Sequence, residues 1–122
     1  MTDEQCRAYL RKWQRAFGLK HWRITLHLIE ASKLDLPTHS IHGYCKPDID
    51  NRRATIWVAN GLTPRLTKET IVHELMHALQ DPALRLAEDA LFEASLNRIA
   101  KLLVHFDTKL NQQRKHPHAP RT

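Results

Sequence analysis

The sequence predicts an α+β fold, and three observations carry that expectation: a helical period at the N-terminus, strand-like alternation in the middle, and two helical stretches after it. This order lacks the strand–helix–strand alternation of doubly wound parallel sheets. The expected arrangement is a small, mainly antiparallel sheet of about three strands with helices packed on one side. At 122 residues the chain has the size of one domain. Residues 1–110 are expected to form that domain, followed by a basic tail over 111–122.

Each element has a local cause. Thr2 or Asp3 can cap a first helix over about 3–17, in which Cys6, Tyr9, Leu10, Trp13 and Phe17 recur every three to four residues and Gly18 supplies a left-handed stop. Residues 22–30 switch to a period of two, with Trp22, Ile24, Leu26 and Leu28 on one face and Arg23, Thr25 and His27 on the other. Pro37 and small polar residues make 31–41 a loop. Gly43, Tyr44 and Cys45 open a short strand, the run 47–51 is turn-like, and the β-branched residues 53–58 form the return arm of a hairpin before Asn60 and Gly61. Thr63-Pro64 or Thr67 starts the next helix, which carries Ile71, Val72, Leu75, Met76 and Leu79 and must stop near Asp81 because Pro82 follows. A last helix is expected over about 83–109.

Composition narrows the function classes. A hydrophobic share of 42% and a charged share of 26% match a folded globular chain and exclude a fibrous or low-complexity one. No apolar run approaches the roughly 18 residues of a membrane span, and the polar start followed by Arg7, Arg11 and Lys12 lacks a signal-peptide core, so a cytoplasmic protein with no membrane partner is expected. Cys6 and Cys45 form no CxxC pair and are expected to stay reduced. Half of the net charge of +6 comes from residues 111–122, where Arg114, Lys115 and Arg121 meet no acid. Lacking apolar periodicity, that tail is expected to be disordered. A second basic run, Arg7, Arg11, Lys12, Arg15, Lys20 and Arg23, permits nucleic acid as a partner but serves equally as a solubility face.

The chemistry-bearing segment is His73-Glu74-Leu75-Met76-His77, an HExxH motif inside the second expected helix. At about 100° per residue, His73 and His77 stand about 40° apart on adjacent turns, so both imidazoles can converge on one zinc ion. Glu74 beside them is placed to hydrogen-bond an activated water rather than to bind metal. The surrounding residues of the helix are apolar. A His-Glu-His cluster within a core element costs several kcal/mol unless something satisfies it, as a metal does.

A third ligand is sought on the last helix. With Leu91 set at zero, Leu84, Leu91, Phe92, Leu96, Ile99, Leu102, Leu103 and Phe106 fall between about 0° and 140°, centred near about 70°. Glu88 falls at about 60°, Asp89 near about 160° and Glu93 near about 200°, so the pattern singles out Glu88 as a carboxylate on the apolar face. Such a group is a ligand, a salt-bridge partner, or a sign that the helix begins later. Asp81, one turn beyond His77, is a rival that can instead cap the helix end.

Taken together, HExxH on a helix, the preceding strand 53–58 and a following helix bearing Glu88 resemble a zincin metallopeptidase of the gluzincin type. The N-terminal helix and the Gly18-Leu19-x-x-Trp22 strand entry extend the likeness to small phage- and bacterium-encoded HExxH proteins described as metallopeptidases. The resemblance implies a zincin-like fold, one Zn2+ per chain on His73, His77 and Glu88, and Glu74 as general base in peptide-bond hydrolysis by a metal-activated water. It also implies a cytoplasmic setting in a bacterial or phage-infected cell and a protein or peptide substrate. Strand 53–58 would then be the sheet edge that pairs with substrate, with Ile56 or Trp57 walling a pocket. Tyr44, His42 or His105 would supply an oxyanion partner. The sequence departs from metzincins, because Ala-Leu-Gln-Asp-Pro follows His77 without their glycine and third histidine.

Two other functions fit the same residues. One is a DNA-associated processing factor, similar to SprT-like proteases, in which the first helix and the tail recruit nucleic acid. SprT-like enzymes use a third His, and the wheel position of His105, near about 320°, points away from Glu88. The other is a zinc-bearing interaction module without catalysis, in which Glu74 would be dispensable.

Overall fold

The computed structural model describes residues 1–30, 42–79 and 90–115, with the side chains of 90–93 and 115 left out of the description. Within these residues the order is α1 (Asp3–Ala16), β1 (Arg23–Ile29), β2 (Gly43–Asp48), β3 (Arg53–Ala59), α2 (Pro64–Ala78) and α3 (Ala90–Lys115), an α+β chain with three helices and one three-stranded sheet. The loop expected at 31–41 and the expected start of the last helix at 83–89 lie outside the described residues.

Both ends of α1 follow from its sequence. The Thr2 hydroxyl accepts the Gln5 N–H at 3.1 Å while the Gln5 side chain accepts the Thr2 N–H at 2.8 Å, a reciprocal capping box. At the other end Gly18, with φ of 75°, turns the chain left-handed. The Gly18 N–H then reaches the Arg15 carbonyl and the Leu19 N–H the Gln14 carbonyl, which satisfies the last turn. Helix α2 starts at Pro64 behind the Thr63 cap, whose hydroxyl accepts the Leu66 N–H at 3.2 Å.

The sheet is mixed, not mainly antiparallel. Its order is β1-β3-β2, with β1 parallel and β2 antiparallel to β3. The hairpin expectation holds for β2 and β3, closed by a turn in which the Arg52 N–H reaches the Ile49 carbonyl at 3.1 Å. What the expectation missed is that the second arm of the hairpin, β3, also pairs with β1. The strands' composition explains this placement. β3 is the most apolar strand, with Ala54, Ile56, Val58 and Ala59 buried, and it takes the centre. β2 carries Lys46, Pro47 and Asp48, which suit an edge, since proline offers no N–H to a ladder.

Helix α2 is the hub of the packing. It lies against β2 and β3 on one side and against α1 and α3 on others. Leu26, Ile56, Val58, Ile71, Val72 and Leu75 form the centre of the core, joined by Cys6 and Leu10 from α1 and by Ala100 and Val104 from α3. The two outer helices also touch: Lys12 forms an ion pair with Asp107, and the Tyr9 hydroxyl donates to the same carboxylate at 3.4 Å. Burial, reinforced by that carboxylate, pushes the Tyr9 phenol well above its ordinary range.

Helix α3 departs from expectation twice. It continues through Lys115, into the stretch expected as a disordered tail, because Asn, Gln, Arg and Lys propagate an existing helix at little cost. The rest of that tail, 116–122, lies outside the described residues. Its buried face is also not the one expected. Leu96, Ala100 and Val104 are buried, whereas Ile99, Leu102 and Phe106 are exposed. On the Leu91-based scale the buried face centres near about 180°, roughly 110° from the direction expected. Among the described residues no helix is long and apolar enough to cross a membrane.

Candidate metal centre

The candidate site is built on α2. Among the described residues every buried polar side chain lies on this helix: Thr67, Glu69, Thr70, His73, Glu74 and His77. At about 100° per residue these six occupy one contiguous wedge of about 160°, and Ile71, Val72, Leu75 and Ala78 fill the other side. The helix is therefore amphipathic with both faces buried. Its apolar half joins the core, and its polar half needs partners. The two threonines find theirs within the helix, Thr67 donating to the Thr63 carbonyl at 2.9 Å and Thr70 to the Leu66 carbonyl at 2.7 Å. Glu69 is met by the Arg65 guanidinium at 3.0 Å.

His73, Glu74 and His77 are the chemically distinctive remainder, at 8%, 2% and 7% exposure. The two imidazoles turn the same ring atom toward one another: His73 Nε2 and His77 Nε2 are 3.3 Å apart, with ring centroids 5.1 Å apart and planes tilted by 55°. Two Zn–N bonds of about 2.0–2.1 Å meeting at a tetrahedral angle hold their nitrogens about 3.3–3.4 Å apart. The donor chemistry and spacing of this pair thus fit two positions of one zinc ion. Strand β2 approaches the helix at the same level. A Cβ built on Gly43 would sit 2.7 Å from Thr70 Cγ2, 2.8 Å from the Trp57 carbonyl oxygen and 3.3 Å from Glu74 Cγ. Glycine here is what lets β2 pass so close to the Glu74 side chain.

The remaining expected site residues are distributed as follows. Asp81 and Glu88 lie outside the described residues, as does Asp89. Glu93 belongs to α3, but its side chain is not described. Among the described residues no group of three or more His, Cys, Asp or Glu side chains is gathered at one point. Of the face on which the wheel placed Glu88, Ile99, Leu102 and Phe106 are exposed while Leu96 is buried along the described part of α3.

The strand expected to be the substrate-pairing edge is not an edge. β3 is central, with both of its ladders occupied, so it cannot take up a further strand. Ile56 is fully buried in the core. Trp57 alternates to the opposite face of the sheet from Ile56, where its ring stacks between His27 and Tyr44 at centroid distances of 5.8 Å on each side. That row is a cross-strand ladder following the pairing of Trp57 with His27 and with Tyr44. It carries Tyr44 away from α2 as well. His42 is half-buried just before Gly43, and its carbonyl accepts the Ala59 N–H at 2.8 Å. His105 stands exposed on α3 against Phe106.

The basic run of α1 is partly used internally. The Arg7 guanidinium donates to the Leu26 carbonyl at 2.9 Å, and Lys12 is committed to Asp107. Gly43, Thr70 and Glu69 were not singled out by the sequence reading. An isolated glycine in a strand pattern is a signal of close backbone approach, and it was available at Gly43. No described protein family, curated protein or solved structure matches this chain.

Proposed function

We propose that this protein is a zinc-dependent metallopeptidase of zincin-like fold, with His73 and His77 as two metal ligands and Glu74 as general base. The observation that carries the reading is the buried pair of Nε2 atoms 3.3 Å apart with a buried carboxylate next in sequence. The third ligand is an acid of the segment after α2: Glu88, as the family resemblance suggests, or Asp81 or Glu93.

Zinc held by these residues supplies Lewis acidity toward a peptide carbonyl and brings the pKa of water down to near neutrality. The chain's own contribution is positional. His73 and His77 project from adjacent turns of a helix fixed on both faces by packing, so their nitrogens are held in place without ordering cost at the moment of reaction. Glu74 accepts the proton of the attacking water as the new C–O bond forms, and returns it to the leaving amine as the C–N bond breaks. Gly43 brings β2 close to the Glu74 side chain, where a Cβ at that position would lie 3.3 Å from Glu74 Cγ. His42, beside Gly43, is the candidate partner for the developing oxyanion.

The test is metal content by elemental analysis of protein purified without a histidine tag, for wild type and for His77→Ala, Asp81→Ala, Glu88→Ala and Glu93→Ala. The expected result is about one zinc per chain in wild type, lost in His77→Ala and in one of the three acid variants. Glu74→Gln should keep the metal and lose hydrolysis of a mixed fluorogenic peptide substrate. Unchanged hydrolysis in Glu74→Gln would refute the catalytic role. No zinc in wild type, even after zinc is supplied to metal-free protein, would refute the site.

A further inference from the structure

Helix α3 has a second apolar face that the core does not use. Ile99, Leu102, Phe106 and Leu110 are 44%, 51%, 61% and 52% exposed. Their spacing of three, four and four residues places them within about 80° of one another, along about 16 Å of helix. Running along the side of this stripe that faces away from the core are Arg98, Lys101, His105 and Lys109, all exposed. From residue 94 to residue 114 the only acid is Asp107. It points the other way, into its ion pair with Lys12. The outward half of α3 therefore combines a continuous apolar stripe with a row of cations and no carboxylate.

We propose that this face of α3 docks on an anionic lipid surface, with the stripe in the acyl boundary and the cations among the headgroups. A lipid interface satisfies both halves of the pattern at once. Nucleic acid would take up the cations and leave four large apolar side chains in water. A second copy paired antiparallel through the stripe would bring both cation rows to the same side, where they repel. The expectation of no membrane partner rested on the absence of an apolar span, and a helix lying in the interface needs none. This inference is independent of the zinc reading, since none of its residues belongs to the proposed site.

The experiment is flotation of the full chain with phosphatidylcholine vesicles carrying about 30% phosphatidylglycerol, against phosphatidylcholine alone. Wild type should float with the anionic vesicles only and be released as salt shortens the screening length. Lys101→Gln combined with Lys109→Gln should lower partitioning by roughly 30-fold. Leu102→Ser combined with Phe106→Ser should lower it by at least about tenfold. All four residues are exposed, so both variants should keep the wild-type melting profile. Absence of flotation, or flotation unchanged in the Leu102→Ser/Phe106→Ser variant, would overturn the proposal. So would a dimer in solution that only this variant dissociates, which would assign the stripe to a second copy. Binding of a single-stranded oligonucleotide in place of vesicles, weakened by the lysine changes alone, would assign the face to nucleic acid.

Discussion

Gly43→Ala tests how tightly β2 is set against the helix that carries the histidines. The added methyl would lie 2.7 Å from Thr70 Cγ2 and 2.8 Å from the Trp57 carbonyl oxygen. Carbon pairs settle at about 3.5 Å or more, so relief needs a displacement of about 0.7–0.8 Å. The Trp57 oxygen belongs to the central strand and cannot swing aside. Thr70 is β-branched, and its hydroxyl is engaged with the Leu66 carbonyl at 2.7 Å. The edge strand must therefore move, at an overpacking cost of about 1–3 kcal/mol. For a domain of this size that is a fall in melting temperature of roughly 4–15 °C, readable by circular dichroism. Gly43→Ala combined with Thr70→Ser removes the nearest carbon while keeping the helix hydroxyl, and it should recover part of the loss. A Gly43→Ala protein that melts at or above wild type would refute the close-packing argument. So would a double variant that recovers nothing.

Three further outcomes are expected. Thr63→Ala deletes the cap of α2 and should cost about 1 kcal/mol in chemical denaturation, with zinc content unchanged because the motif lies several turns away. Asp107→Ala removes the acceptor shared by Lys12 and Tyr9; with the Lys12 side chain 42% exposed, the ion-pair part of the loss is at most about 1 kcal/mol and should shrink in high salt. Burial holds the Cys6 thiol above its ordinary value of 9.0, so the folded state keeps its proton where the unfolded state loses it. The contribution is fully present below that value and is lost as pH rises above it. Melting temperature should therefore fall between about pH 8 and pH 10, less steeply in Cys6→Ala. An equal slope in the two proteins would reject burial of this thiol as the cause.

Local signals made several elements legible and left the pairings unresolved. Thr2, Gly18, Thr63 and Pro64 mark helix ends through chemistry that acts within a few residues, and the observed limits of α1 and the start of α2 follow them. The convergence of His73 and His77 was legible for the same reason, since a four-residue spacing fixes their relation on any helix. Strand order was not, because it depends on how the chain between β1 and β2 returns and on which strand can bear burial on two edges. The orientation of α3 failed for a different reason. Its sequence holds two apolar stripes, and the larger side chains mark the exposed one. The core takes Ala100 and Val104, small residues that let α3 approach α2 closely, and hydrophobicity alone does not reveal which stripe a neighbour will choose.

The contact of Tyr9 and Lys12 with Asp107 joins residues 98 and 95 positions apart in the chain. A polypeptide emerging from the ribosome has made α1, the sheet and α2 well before it can make this closure. Until Leu96, Ala100 and Val104 arrive, the side of α2 and α1 that they cover faces water. The parallel pairing of β1 and β3 likewise joins strands that are distant in the chain, with β2 between them. The domain should therefore be completed late and cooperatively, and chains that stop short of Asp107 should be substrates for chaperones or proteases rather than smaller folded units.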